Sequence, residues 1–420
     1  LIFGLLRAIS VHGRSVASKE EAEMGAVELG PFVRGEPAEL SLDPARVEQA
    51  RAMIREQIES GRSPGIVAFV ARRGRVFLHE AMGVRNPAGD AMRHDTLFSI
   101  ASATKPMTAA VVISLVEDGK IGLLQCVRDY LPELPASVGD GVLVHHLLTH
   151  TAGFDSPMWT GKLRRRLLEK GDEDARWGRD PVVNAFLGCM EDVERIKPPG
   201  AGMLYASFGY ELLGEIVRRV CGTATVDEVL AARLFEPLGM KDSAMTLDAA
   251  RRARFAEPLP DGPQARMAES YGLGLDVWLR ADAAAGGLLM TALDHAIFEQ
   301  MILGGGELAG VRVLSKASVR AMTTNQIPGV PDVIFGRKEA SWGYGFSVIC
   351  QERWPYFGGG LVPPGSVTHA GSGGISHWID FENEIVGVYY EILTEMSERL
   401  EPVSSASHRF QDVITAAVLD

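Results

Sequence analysis

Ser102 and Lys105 stand three residues apart in the run Phe98-Ser99-Ile100-Ala101-Ser102-Ala103-Thr104-Lys105. There a short apolar stretch gives way to a long helical pattern. Positions i and i+3 of a helix share a face, so the hydroxyl and the amine can touch. A serine beside an amine is a nucleophile with its base already in place. The Ser102 N–H lies in the first turn, where helix N–H groups lack internal partners and can hold an oxyanion. An ordinary lysine is neutral in only about one molecule in 2,500 at pH 7, so the pair also needs burial or a nearby cation to lower its pKa. On these residues alone, a helix cap next to a solvated lysine is the better reading.

The surrounding pattern supplies elements able to hold such a pair. Pro106 suits a first helical turn, and Val111, Val112, Leu115 and Val116 give the helix an apolar face. Upstream, Asp43 and Pro44 read as a helix start, with Val47, Ala50, Met53, Ile54 and Ile58 facing inward as far as Gly61. Residues 66–71 and 76–78, broken at Arg73-Gly74, begin an antiparallel sheet. From 123 to 301 the chain shows helical patterns cut by Gly and Pro, including a short helix within 142–153. Strands return at 343–349, 367–371, 377–381 and 385–390, and a last helix spans 404–418. The expected fold class is therefore α/β (α+β): an antiparallel sheet flanked by helices, built from both ends of the chain, with a mostly helical insertion. The expected division is an irregular leader at 1–40, an α/β domain from 41–122 and 303–420, and a helical domain at 123–302.

Composition narrows the function classes. The 420 residues carry a formal net charge of −12, which argues against nucleic acid or an anionic membrane as partner. No stretch reaches the ~20 apolar residues of a membrane span. The apolar run at residues 1–6 is too short for a signal-peptide core, and the N-terminus is otherwise uninformative; a cytoplasmic location is the expectation, with a periplasmic or secreted one as the alternative. Cys126, Cys189, Cys221 and Cys350 are widely spaced and read as free thiols. None of the ten histidines falls in H-E-x-x-H or other metal-ligand spacing, so neither metal nor cofactor is expected. The basic cluster of Lys162 and Arg164-Arg165-Arg166 reads as a solvated helix face.

Further pieces follow in order: Leu147-Leu148-Thr149-His150-Thr151-Ala152-Gly153, Pro199-Gly200 before Tyr205-Ala206-Ser207, Phe208-Gly209-Tyr210-Glu211-Leu212-Leu213-Gly214, Glu236-Pro237-Leu238-Gly239-Met240, Ala285-Gly286-Gly287-Leu288 and His369-Ala370-Gly371. With the Ser-x-x-Lys tetrad, they make residues 42–419 resemble the serine β-lactamase and penicillin-binding-protein superfamily. Within it the chain is most similar to family VIII carboxylesterases and class C β-lactamases. The resemblance implies Ser102 as nucleophile, Lys105 as its partner and Tyr205 as second base and acid. It also implies an oxyanion hole from the N–H groups of Ser102 and Ser372. Either neutral Lys105 or a tyrosinate at Tyr205 can take the serine proton. The G-x-S-x-G elbow of α/β-hydrolases is absent.

Two departures shape the expected substrate. The family's Tyr-x-Asn is Tyr205-Ala206-Ser207 here, and its Lys-Thr-Gly is His369-Ala370-Gly371. Losing that lysine removes a cation for the β-lactam carboxylate and favours uncharged esters. A histidine there, with an ordinary pKa near ~6.5, is expected to face substrate and to gain charge near pH 6. Gly371 and Ser207 join His369 as substrate-binding candidates. Trp342, Tyr344 and Trp378 are candidate walls of an acyl pocket, although strand aromatics commonly pack in cores. His150 reads as structural. The expected activity is a carboxylesterase acting on small short-chain esters through an acyl-enzyme, with weak β-lactam hydrolysis as a side activity. The alternatives are a class C-like β-lactamase, a D-amino-acid peptidase or amidase, an acyltransferase, and a non-catalytic scaffold.

Overall fold

The computed structural model describes residues 29–154, 181–189, 193–270, 275–279, 281–334, 336–351, 358–394 and 405–420. Most of the leader and the basic cluster at 162–166 lie outside the described residues. Asp43 caps helix α1 (Pro44–Glu59), its carboxylate accepting from the Ala45 N–H at 2.9 Å. Strands β1 (Gly65–Arg72) and β2 (Arg75–Gly83) follow as an antiparallel pair. After the short strand Phe98–Ser99 comes helix α2 (Lys105–Glu117). It is apolar all round and buried from Lys105 to Leu115, the mark of a helix inside a core. Helices α3 (Val144–Leu148), α4 (Ser207–Cys221), α5 (Pro263–Ser270) and α6 (Ala292–Leu303) occupy the middle of the chain. Strands β3 (Val367–Gly371), β4 (Ile375–Asp380) and β5 (Ile385–Glu391) then return, followed by helix α7 (Ser405–Thr415).

β5 pairs with β1, so the sheet joins both halves of the sequence. Its seven strands run in the order 33–34, β2, β1, β5, β4, β3, 347–348. Every pairing is antiparallel except that of the edge strand Val33–Arg34 with β2. Side chains alternate between two buried faces. Ile66, Ala68, Val70, Trp378, Ile385 and Tyr389 pack against α1 and α7. Val67, Phe69, Ile375, Ile379, Val388 and Tyr390 join the main core with α2, α4 and α6.

The strand expected over 343–349 is a correction: only Ser347–Val348 is strand. Gly345 at φ +92° turns the chain against α2, and a Cβ there would lie 2.7 Å from the Ala109 methyl. That close approach replaces a regular ladder. None of the four cysteines forms a disulfide among the described residues. Among the described residues, no helix is long and apolar enough to cross a membrane.

Candidate active site

Ser102 lies in a 3-10 turn (Ala101–Thr104) that runs straight into α2. Ala101, just before it, holds φ +46°, a left-handed conformation costing a residue with a Cβ about 1–3 kcal/mol. The turn is held from two sides. Ile100 N–H donates to the Leu288 carbonyl at 3.0 Å, and Leu288 N–H donates to Thr104 Oγ1 at 3.2 Å. From the sheet, Gly371 at the end of β3 presses on the Ile100 carbonyl. A Cβ at Gly371 would stand 2.0 Å from that oxygen, so a side chain there would push β3 off the turn. This contact brings Ser372, the next residue, beside the Ser102 turn.

Lys105 Nζ donates to Ser102 Oγ at 3.0 Å and to the Ala285 carbonyl at 2.8 Å. It is wholly buried and sits over two aromatic faces, 5.0 Å from the Tyr205 ring centre and 5.7 Å from that of Tyr210. Burial pulls its pKa down to about 7, against a smaller upward pull from Glu211. Near neutral pH roughly half of such amines are unprotonated, against the one in thousands of an exposed lysine. Ser102, Tyr205, Ser207 and Ser372 are each partly exposed, while the amine is not.

The segment carrying Tyr205 is clamped by His150, itself at φ +58°. His150 Nδ1 accepts from the Ala206 N–H at 3.2 Å, and its carbonyl accepts from the Leu204 N–H at 2.8 Å. The His150 and Tyr205 rings lie 4.3 Å apart. Burial and Lys105 hold the His150 pKa well below the usual histidine range. Tyr210 donates to the Leu148 carbonyl at 3.0 Å, fixing α4 to α3 beneath the lysine.

His369 requires a correction. It is 1% exposed, and its Nδ1–H donates to the Ala370 carbonyl at 2.8 Å. Burial, with Lys105 adding repulsion, drives its pKa well below the ordinary value, so it gains no charge near pH 6. Its ring packs against Trp342 and Tyr205, at 5.6 and 6.0 Å between centres. Trp378 is a second correction. His377 stands opposite His369 and Trp378 opposite Thr368, so Trp378 faces the other side of the sheet and packs against Phe410. Tyr344 is half an exception: it lies in the main core, with its hydroxyl 3.0 Å from His145 Nδ1.

Three residues that the sequence did not single out shape this site. Glu211 on α4 accepts from the N–H groups of Ala284 and Ala285 at 3.1 and 3.2 Å, which aims the Ala285 carbonyl at Lys105. A charged residue within the run Phe208–Leu213 was the available signal. Tyr210 sits in the same run. Gln264 on α5 donates from Nε2 to the carbonyls of Ser99, at 3.2 Å, and Ser372, at 2.8 Å. It thus ties together the two backbone segments that carry the Ser102 and Ser372 N–H groups. It also lines a shallow open cleft with Phe98, Pro263, Gly373 and Leu393.

The Beta-lactamase family model matches residues 50–402. An esterase, EstB, from Burkholderia gladioli is 35% identical over 240 residues, covering 54% of this chain and 58% of the relative. Penicillin-binding protein 4 from Amycolatopsis lactamdurans is 32% identical over 296 residues, covering 67% and 70%. Among solved structures, a penicillin-binding protein homologue from Caulobacter crescentus superposes with a TM-score of 0.72 at 24% identity, over 90% of this chain and 98% of that one.

Proposed function

This chain belongs to the Beta-lactamase family, and on that premise we propose that it is a carboxylesterase working through an acyl-enzyme on Ser102. The observation that carries the reading is the 3.0 Å contact between Ser102 Oγ and a buried lysine whose pKa lies at about 7. In the proposed first step, Lys105 accepts the Ser102 proton as Oγ attacks the ester carbonyl. The Ser102 and Ser372 N–H groups receive the developing oxyanion. Tyr205, over which the amine lies, then carries a proton to the leaving alcohol. Water repeats the sequence on the acyl-enzyme and releases the acid.

Preference for neutral esters over β-lactams rests on His369. Where the family motif places a lysine, this chain has a neutral, buried imidazole. A carboxylate meets no fixed cation from that position. The similarity to EstB supports the same choice, and the similarity to a penicillin-binding protein keeps β-lactams and D-alanyl substrates in the test panel.

The test pairs a substrate panel with active-site labelling. p-Nitrophenyl esters of increasing chain length, a chromogenic cephalosporin and a D-alanyl anilide are assayed side by side. Short esters are expected to give the highest kcat/KM. A fluorophosphonate should label Ser102 alone, and Ser102→Ala should abolish both labelling and turnover. Labelling at another serine overturns the nucleophile, and a cephalosporin rate above every ester overturns the substrate class.

A further inference from the structure

Glu211 is a buried acid that the proposed proton steps do not use. It lies on α4, 3% exposed, within an otherwise apolar run. Glu215, one turn further on, shows a buried acid held for structure alone: Arg218 and Arg219 both bond its carboxylate. Glu211 is turned instead to the segment behind Lys105. Its Oε2 accepts from the Ala284 N–H at 3.1 Å, and its Oε1 from the Ala285 N–H at 3.2 Å. Each oxygen receives one donor, which suits a carboxylate, a group that only accepts.

The peptide between Ala284 and Ala285 is gripped from the other side as well. Thr108, one turn after Lys105 on α2, donates to the Ala284 carbonyl at 2.7 Å. Gly214, one turn after Glu211, lets α4 come close, since a Cβ there would stand 2.4 Å from the Ala284 methyl. Held between α2 and α4, the segment offers the Ala285 carbonyl to Lys105 Nζ at 2.8 Å. Among the described residues, Tyr205, Tyr210, His150 and His369 are the other titratable groups facing this amine and its serine. Burial keeps both histidines neutral, so Glu211 is the charged group whose field reaches Lys105.

We propose that Glu211 is a positioning residue for the Ser102–Lys105 pair: it fixes the carbonyl on which the amine rests, and its charge sets the pH at which that amine gives up its proton. The proposal rests on the reading of Lys105 as the base that activates Ser102. Glu211 acts through Lys105 and not on the substrate. The consequence has a definite sign. A negative charge favours the ammonium form, and so does a carbonyl that accepts from it. Both oppose the burial that pulls the amine down to about 7. Neutralising Glu211 should therefore make Ser102 reactive at lower pH, while the loosened carbonyl makes it slower at every pH. A clamp that only held backbone would slow the reaction without moving its pH dependence.

The test follows the rate at which a fluorophosphonate labels Ser102 in the full chain from pH 5 to 9. This probe does not titrate in that range, and it reports the nucleophile whatever substrate the site takes. The wild-type rate should rise with a midpoint at about pH 7. In Glu211→Gln that midpoint should fall by at least about half a pH unit, and the plateau by about tenfold. Glu211→Asp keeps the charge, and Thr108→Val loosens the same peptide with the charge in place. Both should lower the plateau and leave the midpoint where wild type has it. An unmoved midpoint in Glu211→Gln overturns the proposal, and so does an equal fall in Glu211→Asp, because charge is then not the cause. If Glu211→Gln does not fold, the other two variants decide: a moved midpoint in either, or wild-type plateaus in both, overturns it. A wild-type rate with no rise near pH 7 also overturns it, because Lys105 is then not the base. A protein that hydrolyses no ester but shows the expected shift loses the esterase reading and keeps this one.

Discussion

Among the described residues two cations, Arg72 and Lys105, lie fully buried, and their surroundings differ. Arg72, at the end of β1, is 1% exposed and fully engaged. Its guanidinium donates to the carbonyls of Asn383 at 3.0 Å, Leu40 at 2.5 Å and Ser41 at 3.3 Å, and to the Asp420 carboxylate at 2.5 Å. Lys105 is as deeply buried, yet it has one hydroxyl, one carbonyl and two aromatic faces. No carboxylate contacts it among the described hydrogen bonds and ion pairs; Glu211 acts on it only through space. Desolvation is offset around Arg72 and left largely standing at Lys105. The first arrangement holds structure together, and the second makes an amine that can give up its proton at neutral pH.

The largest way to break this comparison is Lys105→Met, which keeps bulk and removes the amine. It should lower kcat/KM for p-nitrophenyl butyrate at least about a thousandfold, by loss of the proposed base beside the nucleophile. The thermal midpoint should hold or rise, because an under-compensated buried charge has been replaced by an apolar group. Arg72→Met should do the reverse. It strands three carbonyls around the vacated guanidinium and should lower stability by about 3 kcal/mol, read as a shift in the urea midpoint. Its kcat per folded molecule should match wild type. If Arg72→Met cuts kcat as deeply as Lys105→Met, the division between the two sites is wrong.

Tyr205→Phe tests the aromatic side of the lysine's surroundings. It keeps the ring face under Nζ and removes only the hydroxyl, so a fall of about a hundredfold in kcat isolates proton transfer. A rate near wild type would leave Lys105 to carry both proton steps. Gln264→Leu should cost less, about tenfold in kcat with KM little changed. The Ser99 and Ser372 carbonyls lose their common donor, and the backbone presenting the two N–H groups slackens. A KM effect alone would assign Gln264 to the cleft and not to the oxyanion segments.

Local chemistry was legible in the sequence. The i, i+3 spacing of Ser102 and Lys105 produces their 3.0 Å contact, and the Asp43-Pro44 start of α1 is capped as its residue types dictate. The mixed sheet-and-helix fold was legible too, because its strands and helices carry distinct periods. What stayed hidden depends on approaches between distant segments. Glu211 meets Ala284 and Ala285 across 73 and 74 positions, and Gln264 meets Ser372 across 108. Trp378 was misplaced for a related reason. β4 is buried on both faces, so hydropathy does not reveal which side each residue takes. Only the pairing of His377 with His369 fixes the phase and turns Trp378 to the far side. His369 was expected to titrate near pH 6 because burial among Trp342, Tyr205 and Lys105 is a property of the fold.

The finest contrast between the two cations is in how stability depends on pH. In the unfolded chain Lys105 keeps its ordinary pKa near 10.5, while in the fold burial lowers it to about 7. Below pH 7 both states carry the proton, and the term is flat. Between pH 7 and 10.5 the unfolded state binds one proton more than the folded state, so stability rises with pH. The slope approaches about 1.4 kcal/mol per pH unit, and the gain from pH 7 to 8 is about 1 kcal/mol. Urea midpoints at pH 6, 7, 8 and 9 for wild type, Lys105→Met and Arg72→Met separate the two. The wild-type and Arg72→Met curves should rise in parallel above pH 7, and the Lys105→Met curve should lack that rise. If all three run parallel, Lys105 holds its proton in the fold, and Tyr205 becomes the group that must accept from Ser102.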